Sequence, residues 1–369
     1  MTNIFDYLKW RGDLKICQAP FNHVDALILS RLSYVPFEDI VSYNPLEKIT
    51  LRQAAHIFFS REISINYIFT AQDIKLLEAM MRSERFKDMR LSGYINEVDY
   101  ETQKQFAAII IDVGHHTHFI SYRGTDNTLV GWKEDFNMSF MSPVPAQEAA
   151  VHYLEKMAES LPGYIRTGGH SKGGNLAVYA ASLCSTQVQK RIIEVYNNDG
   201  PGFDSKIISM EGYVNIRGRI NTFVPQSSVV GMLLEHEEEY RIVHSTQTGL
   251  LQHDIYSWEV MGNDFIYLDT VSNRSLFIDR TLKDWMLRMD SSQREQFIEA
   301  IYSIFNETNA KTLEELTSNW YKNALIILKS LKNMDNSLKQ FTSQTLSLLI
   351  KSARQNLLML KSNNPTLIE

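Results

Sequence analysis

The sequence predicts an α/β protein with a mostly parallel central sheet, an N-terminal helical segment and a C-terminal helical extension. Three observations carry this. Apolar residues recur every three or four positions up to about residue 90, the period then falls to two over three runs, and from residue 146 strand-like runs alternate with helix-like ones. Strands separated by helices belong to parallel sheets covered on both faces.

In chain order, Val24 to Leu32 and Asp73 to Met81 carry the helical period, and Pro36 and Pro45 interrupt it. Leu91 to Val98, Gln105 to Asp112 and Thr117 to Arg123 read as strands, with a turn at Gly114-His115-His116. Ala146 to Ser160 is an amphipathic helix ended by Pro162-Gly163. A strand at Tyr164 to Thr167, a glycine-rich turn and a small-residue helix at Gly174 to Leu183 follow, then strands at Ile192 to Asn197 and Ile220 to Val224. Beyond Leu276 the pattern is helical to the end, with Asp290 as an N-cap and Glu295 near N3. The expected divisions are 1–90 for the helical segment packed on the core, 91–275 for the core and 276–369 for the extension, which reads as a packed cap or a homo-oligomer surface.

The 369 residues allow one large domain with additions, and 44% hydrophobic with 22% charged residues is a globular balance. With 37 Lys plus Arg against 43 Asp plus Glu, the net charge of -6 argues against a nucleic-acid partner. Asp6, Lys9, Arg11 and Asp13 stand where a signal peptide needs an apolar run, and no stretch approaches the roughly 18 apolar residues of a membrane span. A cytoplasmic protein without a transmembrane segment is expected. The two cysteines, Cys17 and Cys184, read as buried small hydrophobes and exclude a disulfide framework.

The chemistry concentrates in Thr167-Gly168-Gly169-His170-Ser171-Lys172-Gly173-Gly174, where Gly169-x-Ser171-x-Gly173 lies between a predicted strand and a predicted helix. That is the context of a nucleophile elbow, in which small neighbours let strand and helix approach closely around a strained serine. The plain alternative is a glycine-rich turn with Ser171 as an ordinary N-cap. A serine needs a base, and the α/β-hydrolase order of Ser, acid, His leaves His236, His244 and His253. His253 follows the last predicted strands in a loop able to reach the sheet edge. The oxyanion hole would draw one donor from the Arg123-Gly124-Thr125 turn, at Thr125, and one from Lys172. His115, His116 and His118 sit in a hairpin whose alternation points them apart, so no metal site is predicted, and Glu235 to Glu239 reads as a solvated charge run.

Tyr122-Arg123-Gly124-Thr125 with Trp132 and Asp135, followed by Gly169-His170-Ser171-Lys172-Gly173-Gly174, resembles the class 3 (fungal-type) lipase pattern of the α/β-hydrolases. YLKWRGDL, NHVDALILSRLSY, HSKGGNLAVYAA, NDGPGF and QHDIYSWEV resemble more closely the Mbeg-like bacterial branch of that fold, over about residues 3 to 270. The resemblance implies Ser171 as nucleophile, Thr125 as oxyanion residue, His253 as base with Tyr256 in the His-x-x-Tyr spacing, and Asp135 paired with Arg123 to hold the oxyanion loop. It departs at the acid: after Ile220 to Val224 the chain continues Pro225-Gln226-Ser227-Ser228, with no carboxylate. Asp199, after the strand next in sequence to the nucleophile strand, is the expected acid. Asp204 is the alternative, and Asp254 would point away from its neighbour's ring.

The expected activity is that of a serine hydrolase acting on a lipid or small acyl ester through an acyl-enzyme, with no cofactor. An acyltransferase or thioesterase would need the same triad, and a non-catalytic pseudo-hydrolase serving as a binding module would need none of it.

Overall fold

Strands β3 (Lys104–Gly114) and β4 (Thr117–Tyr122) are apolar on both sides. Ile109, Ile111 and Phe119 enter one buried layer, whereas Ala108, Ile110, Ile120 and Tyr122 enter the other. That alternation belongs to a strand covered on both faces. In the computed structural model, which describes residues 2–61, 70–99, 101–102, 104–125, 138, 143–228, 230–232, 234, 236–271, 288–308 and short runs between 277 and 354, these strands lie inside a single long sheet.

The other strands are β1 (Ile49–Thr50), β2 (Arg90–Asp99), β5 (Tyr164–His170), β6 (Ile192–Asn198), β7 (Ile220–Pro225), β8 (Tyr240–Val243) and β11 (Tyr267–Leu268), with β9 (Val260–Met261) and β10 (Asp264–Phe265) forming a separate pair. The sheet order is β1-β2-β3-β4-β5-β6-β7-β8-β11. From β4 to β8 every pairing is parallel, and antiparallel strands flank that centre. The parallel centre and the strands from β2 to β7 agree with the sequence reading. β1 and the short strands after residue 240 do not appear in that reading, because two- to four-residue strands leave no period to detect.

Helices α1 (Ile4–Arg11), α2 (His23–Leu32), α3 (Leu51–Phe59) and α4 (Ala71–Arg82) pack on one side of the sheet. α5 (Pro145–Ser160), α6 (Lys172–Leu183) and α9 (Glu211–Ile216) pack on the other, with α7 (Thr186–Gln189) and α8 (Ser205–Ile208) in the connections. Each N-terminal helix starts at a capping box, from Asn3, Asn22, Thr50 and Thr70, which fixes where each begins. Arg85 donates to both carboxylate oxygens of Asp25 and to the carbonyls of Leu14, Ala19 and Pro20, so this fully buried pair also holds the first connection.

The chain divides into two compact units, Met1–Thr125 with Pro145–Val271 and Asp126–Val144 with Ser272–Glu369. The sheet and its helices form the first. In the second, α10 (Ser291–Asn306) opens with a reciprocal cap between Asp290 and Gln293, at 2.8 and 3.0 Å, so Gln293 and not Glu295 takes the N3 position. Trp285 Nε1 donates to the Thr345 carbonyl at 3.0 Å. No helix among the described residues is long and apolar enough to cross a membrane.

Two expectations about burial are corrected. Cys17 is exposed and only Cys184 is buried, because Cys17 lies in the irregular connection between α1 and α2 and not on a packed face. Within the acidic run, Glu238 is buried and accepts hydrogen bonds from Tyr213 Oη, Thr222 Oγ1 and His236 Nδ1. Three donors compensate its desolvation.

Candidate active site

β5 enters the site between β4 and β6, with Gly169 opposite Tyr122 on one side and Asn197 on the other. The chain then turns at Ser171 and starts α6. A Cβ on Gly169 would lie 2.6 Å from the Tyr122 carbonyl oxygen, and one on Gly173 2.9 Å from the Arg123 carbonyl carbon. Backbone occupies both spaces, which is why only glycine fits two residues before and two after the serine. Ser171 itself has φ 59° and ψ -136°, a region that costs a non-glycine residue about 1–3 kcal/mol. Its side chain caps no backbone N–H, so the ordinary N-cap alternative is not what the turn forms. The hydroxyl stands at the positive end of α6.

The parallel pairing brings a second residue to the same edge. His170 pairs with Asn198, and the Ser171 N–H donates to the Asn198 carbonyl at 2.9 Å. Asp199 is therefore the first residue beyond β6, just as Ser171 is the first beyond β5. Asp199 is fully buried and also has a positive φ, 53°. Its Oδ2 lies 2.6 Å from His253 Nδ1, while Oδ1 accepts from Ser228 Oγ and, at 3.2 Å, from the Gly231 N–H.

His253 ends a 3₁₀ turn, Gly249–His253. Gln252 beside it fixes that turn: its Oε1 accepts the Ser227 N–H at 2.6 Å, its Nε2 donates to Gln247, and its carbonyl accepts Trp258 Nε1 at 2.9 Å. The other carboxylates weighed for the acid are engaged elsewhere. Asp254 accepts the Tyr256 N–H at 3.1 Å, and Asp204 caps α8 through the Ile207 N–H at 2.9 Å. The remaining two histidines weighed as base each pair with a glutamate, His236 with Glu238 and His244 with Glu259.

The Arg123-Gly124-Thr125 turn follows β4 at the same edge, and a Cβ on Gly124 would fall 3.1 Å from Ser171 Cβ. Thr125 is half-buried. Arg123 is buried and donates from Nη2 to Asn96 Oδ1 at 2.8 Å. Asp135, its expected partner, lies outside the described residues. The Lys172 side chain runs into the core, where Nζ approaches the Gln105 carbonyl at 3.3 Å.

Several residues that sequence reasoning did not single out reach this cluster. Tyr34 donates its hydroxyl to the His170 carbonyl at 3.3 Å and accepts the Gly124 N–H at 3.0 Å. Arg31 binds Asp73 through Nε and Nη2, the latter at 2.8 Å, and Tyr256 Oη donates to Asp73 at 2.6 Å. Burial works to raise the Asp73 pKa, but the Arg31 charge and these hydrogen bonds outweigh it and hold the carboxyl below its ordinary value. His170 donates from Nε2 to the His253 carbonyl at 2.8 Å, and the two rings lie 4.5 Å apart. Burial, with the neighbouring His253 and Arg31, pushes the His170 imidazole well below its usual range, so it is neutral. Among Arg31, Tyr34, Asp73 and His170, only His170 carried a sequence signal, its place beside Ser171, whereas Tyr256 was marked by its His-x-x-Tyr spacing.

A cavity of about 320 Å³ opens beside the two histidines, lined by Arg31, His170, Gln247, Leu251, His253, Asp254 and Ile255. Ser171 does not line it. A strained serine at a helix N-terminus, with a carboxylate-bound imidazole following the same sheet edge, has the parts needed for nucleophilic acyl chemistry.

The sequence model of the family described as Mbeg1-like matches residues 80–303. No curated protein matches the chain. Among solved structures, a crystal structure of M37 lipase aligns with 14% identity over 56% of this chain and 67% of that one, with a TM-score of 0.34.

Proposed function

The chain belongs to the Mbeg1-like family, and on that premise we propose that it is a serine hydrolase of the α/β-hydrolase fold that cleaves an ester-type acyl bond through an acyl-enzyme. The observation that carries the reading is the 2.6 Å bond between His253 Nδ1 and the buried Asp199 carboxylate, at the sheet edge where Ser171 holds φ 59°. A carboxylate on Nδ1 keeps that nitrogen protonated and leaves the lone pair of Nε2 as the one that takes up a proton.

In this reading Ser171 Oγ adds to the acyl carbon while its proton passes to His253 Nε2. The carbonyl oxygen gains the negative charge, met by N–H donors at Thr125 and Lys172 and by the N-terminus of α6. Collapse of that adduct breaks the bond to the alcohol oxygen, which takes the proton from His253. Water then repeats the sequence on the acyl-enzyme and regenerates Ser171. The side chains supply every proton transfer, so the scheme calls for no cofactor. The cavity of about 320 Å³ beside His253 is at the small end of ligand pockets.

A fluorophosphonate probe tests the reading. Labelling of the wild type that vanishes in Ser171→Ala, with the variant still folded by circular dichroism, is the expected result. A folded wild type that takes no label, or a Ser171→Ala variant that keeps ester hydrolysis, overturns it. A panel of p-nitrophenyl esters graded by acyl length then reports the acyl preference.

A further inference from the structure

We infer that Tyr34, which follows α2 in the N-terminal segment, is a positioning residue for the oxyanion side of the site, holding the Arg123-Gly124-Thr125 turn in register with the Ser171 elbow. The inference rests on the hydrolase reading above.

The two loops come from different strands, β4 and β5, and both must face one acyl carbon for attack and charge stabilisation to coincide. Beyond the sheet edge, the Tyr34 hydroxyl ties one to the other: it accepts the Gly124 N–H at 3.0 Å and donates to the His170 carbonyl, one residue before Ser171, at 3.3 Å. Accepting one peptide N–H and donating to one carbonyl uses the hydroxyl in both its senses. Tyr34 is 4% exposed, so water does not compete freely for either bond. A side chain at Gly124 has no room, because the Tyr34 oxygen, the His170 carbonyl and Ser171 Cβ close around it.

The tyrosine is itself fixed. The Arg31 guanidinium lies 3.8 Å from the Tyr34 ring centroid, and Arg31 is held by Asp73, which also accepts the Tyr256 hydroxyl. Tyr256 is three residues after His253, so the anchor that steadies Tyr34 also steadies the loop carrying the base. Arg31, Tyr34 and Asp73 all precede residue 80, where the family match begins.

Tyr34→Phe keeps the ring and its stacking with Arg31 and deletes only the bridging hydroxyl. The expected result is a 10- to 100-fold lower kcat on a p-nitrophenyl ester, less than the roughly 10²- to 10³-fold cost of losing a direct oxyanion donor because the hydroxyl acts through the turn, with KM within twofold. Fluorophosphonate labelling should slow by the same factor yet still run to completion at Ser171. A structural role alone would lower the melting temperature and leave both rates per folded molecule unchanged, and that outcome overturns the inference. Should Tyr34→Phe fail to fold, Arg31→Lys, which removes the guanidinium stacked on the Tyr34 ring and leaves the hydroxyl in place, loosens the same bridge and is read by the same kcat, KM and labelling rates. A wild type that takes no label defeats the hydrolase reading and this inference with it, whereas a labelled wild type and an equally fast Tyr34→Phe defeat only the inference.

Discussion

Ser228 donates its hydroxyl to Asp199 Oδ1, so the loop that follows β7 supports the carboxylate that follows β6. The lipase-like pattern leads one to seek an acid after β7, where this chain has Ser227 and Ser228. With the carboxylate one strand closer to Ser171, Ser228 acts as its donor, and the Gly231 N–H at 3.2 Å completes the shell around Oδ1. Oδ2 is left for His253.

Asp199→Asn should therefore lower kcat by as much as about 10⁴-fold, the cost of presenting a base in the wrong tautomer. It should also lower the melting temperature, since the same carboxylate holds the loop through Ser228 and Gly231. Ser228→Ala keeps the acid and removes one hydrogen bond to a charged group, for about 1.5–3 kcal/mol of stability and a much smaller rate loss. Steady-state kinetics with thermal melts of both variants check this. Full activity in Asp199→Asn would remove Asp199 from the mechanism, and among the described residues no other carboxylate bonds to His253.

His253→Ala should abolish turnover by several orders of magnitude, because nucleophile, base and acid act as a unit. His236→Ala and His244→Ala should retain wild-type rates, as each of these imidazoles pairs with a glutamate, Glu238 or Glu259. Esterase assays on the three variants decide the assignment, and a dead His244→Ala beside an active His253→Ala would reverse it.

Thr125→Ala should lower kcat by roughly 10- to 10³-fold if the hydroxyl donates to the oxyanion beside its own N–H. Burst kinetics on an activated ester separate this from an effect on deacylation. Unchanged acylation would leave the main chain at Thr125 as the only contributor there.

How much of this was legible follows the reach of each interaction along the chain. The elbow is local: glycines two residues either side of Ser171, between a strand and a helix, announce the turn directly. Asp199 was accessible because the strand next in sequence to that of Ser171 ends at the same carboxyl edge of a parallel sheet. Chain order left His236, His244 and His253, and the loop position of His253 with the family resemblance singled it out. Tyr34, by contrast, meets residues 90 and 136 positions away, and Arg31 meets Asp73 42 positions on, so no local spacing encodes them. Ser228 appeared in the sequence only as the absence of an expected carboxylate. Glu238 was misread because a run of acidic residues looks solvated until Tyr213 and Thr222, far off in sequence, supply its donors.

Glycine substitutions separate sterics from conformation at the elbow. Gly169→Ala sets a Cβ against the Gly173 backbone and 2.6 Å from the Tyr122 carbonyl oxygen, so strand and helix must part, and loss of soluble folded protein is expected. Gly218→Ala meets nothing within 4 Å and lies at an ordinary φ, so it should leave stability within about 1 kcal/mol of wild type. Expression and urea denaturation of the pair provide the comparison, and a stable Gly169→Ala would mean that the elbow is looser than drawn.

Glu238 gives the fold an acid limit of known sign. Burial alone would raise its pKa, yet the hydrogen bond and charge of His236, with the Tyr213 and Thr222 hydroxyls, lower it from 4.5 to about 2. The folded value is below the unfolded one, so the stabilisation is complete above about pH 5 and disappears as the pH falls through 4 toward 2. A shift of that size corresponds to something on the order of 3 kcal/mol. Urea midpoints between pH 7 and pH 3 should drop steeply for the wild type. They should drop less steeply for Glu238→Gln, which is already weaker at pH 7 because it leaves His236 without its carboxylate partner. Because the hydrogen bonds of Glu238 run to Tyr213, Thr222 and His236, away from the residues that bond Asp199 and His253, esterase activity per folded molecule should be the same in both proteins at neutral pH. Parallel stability curves for the two would show that the acid sensitivity arises at other carboxylates.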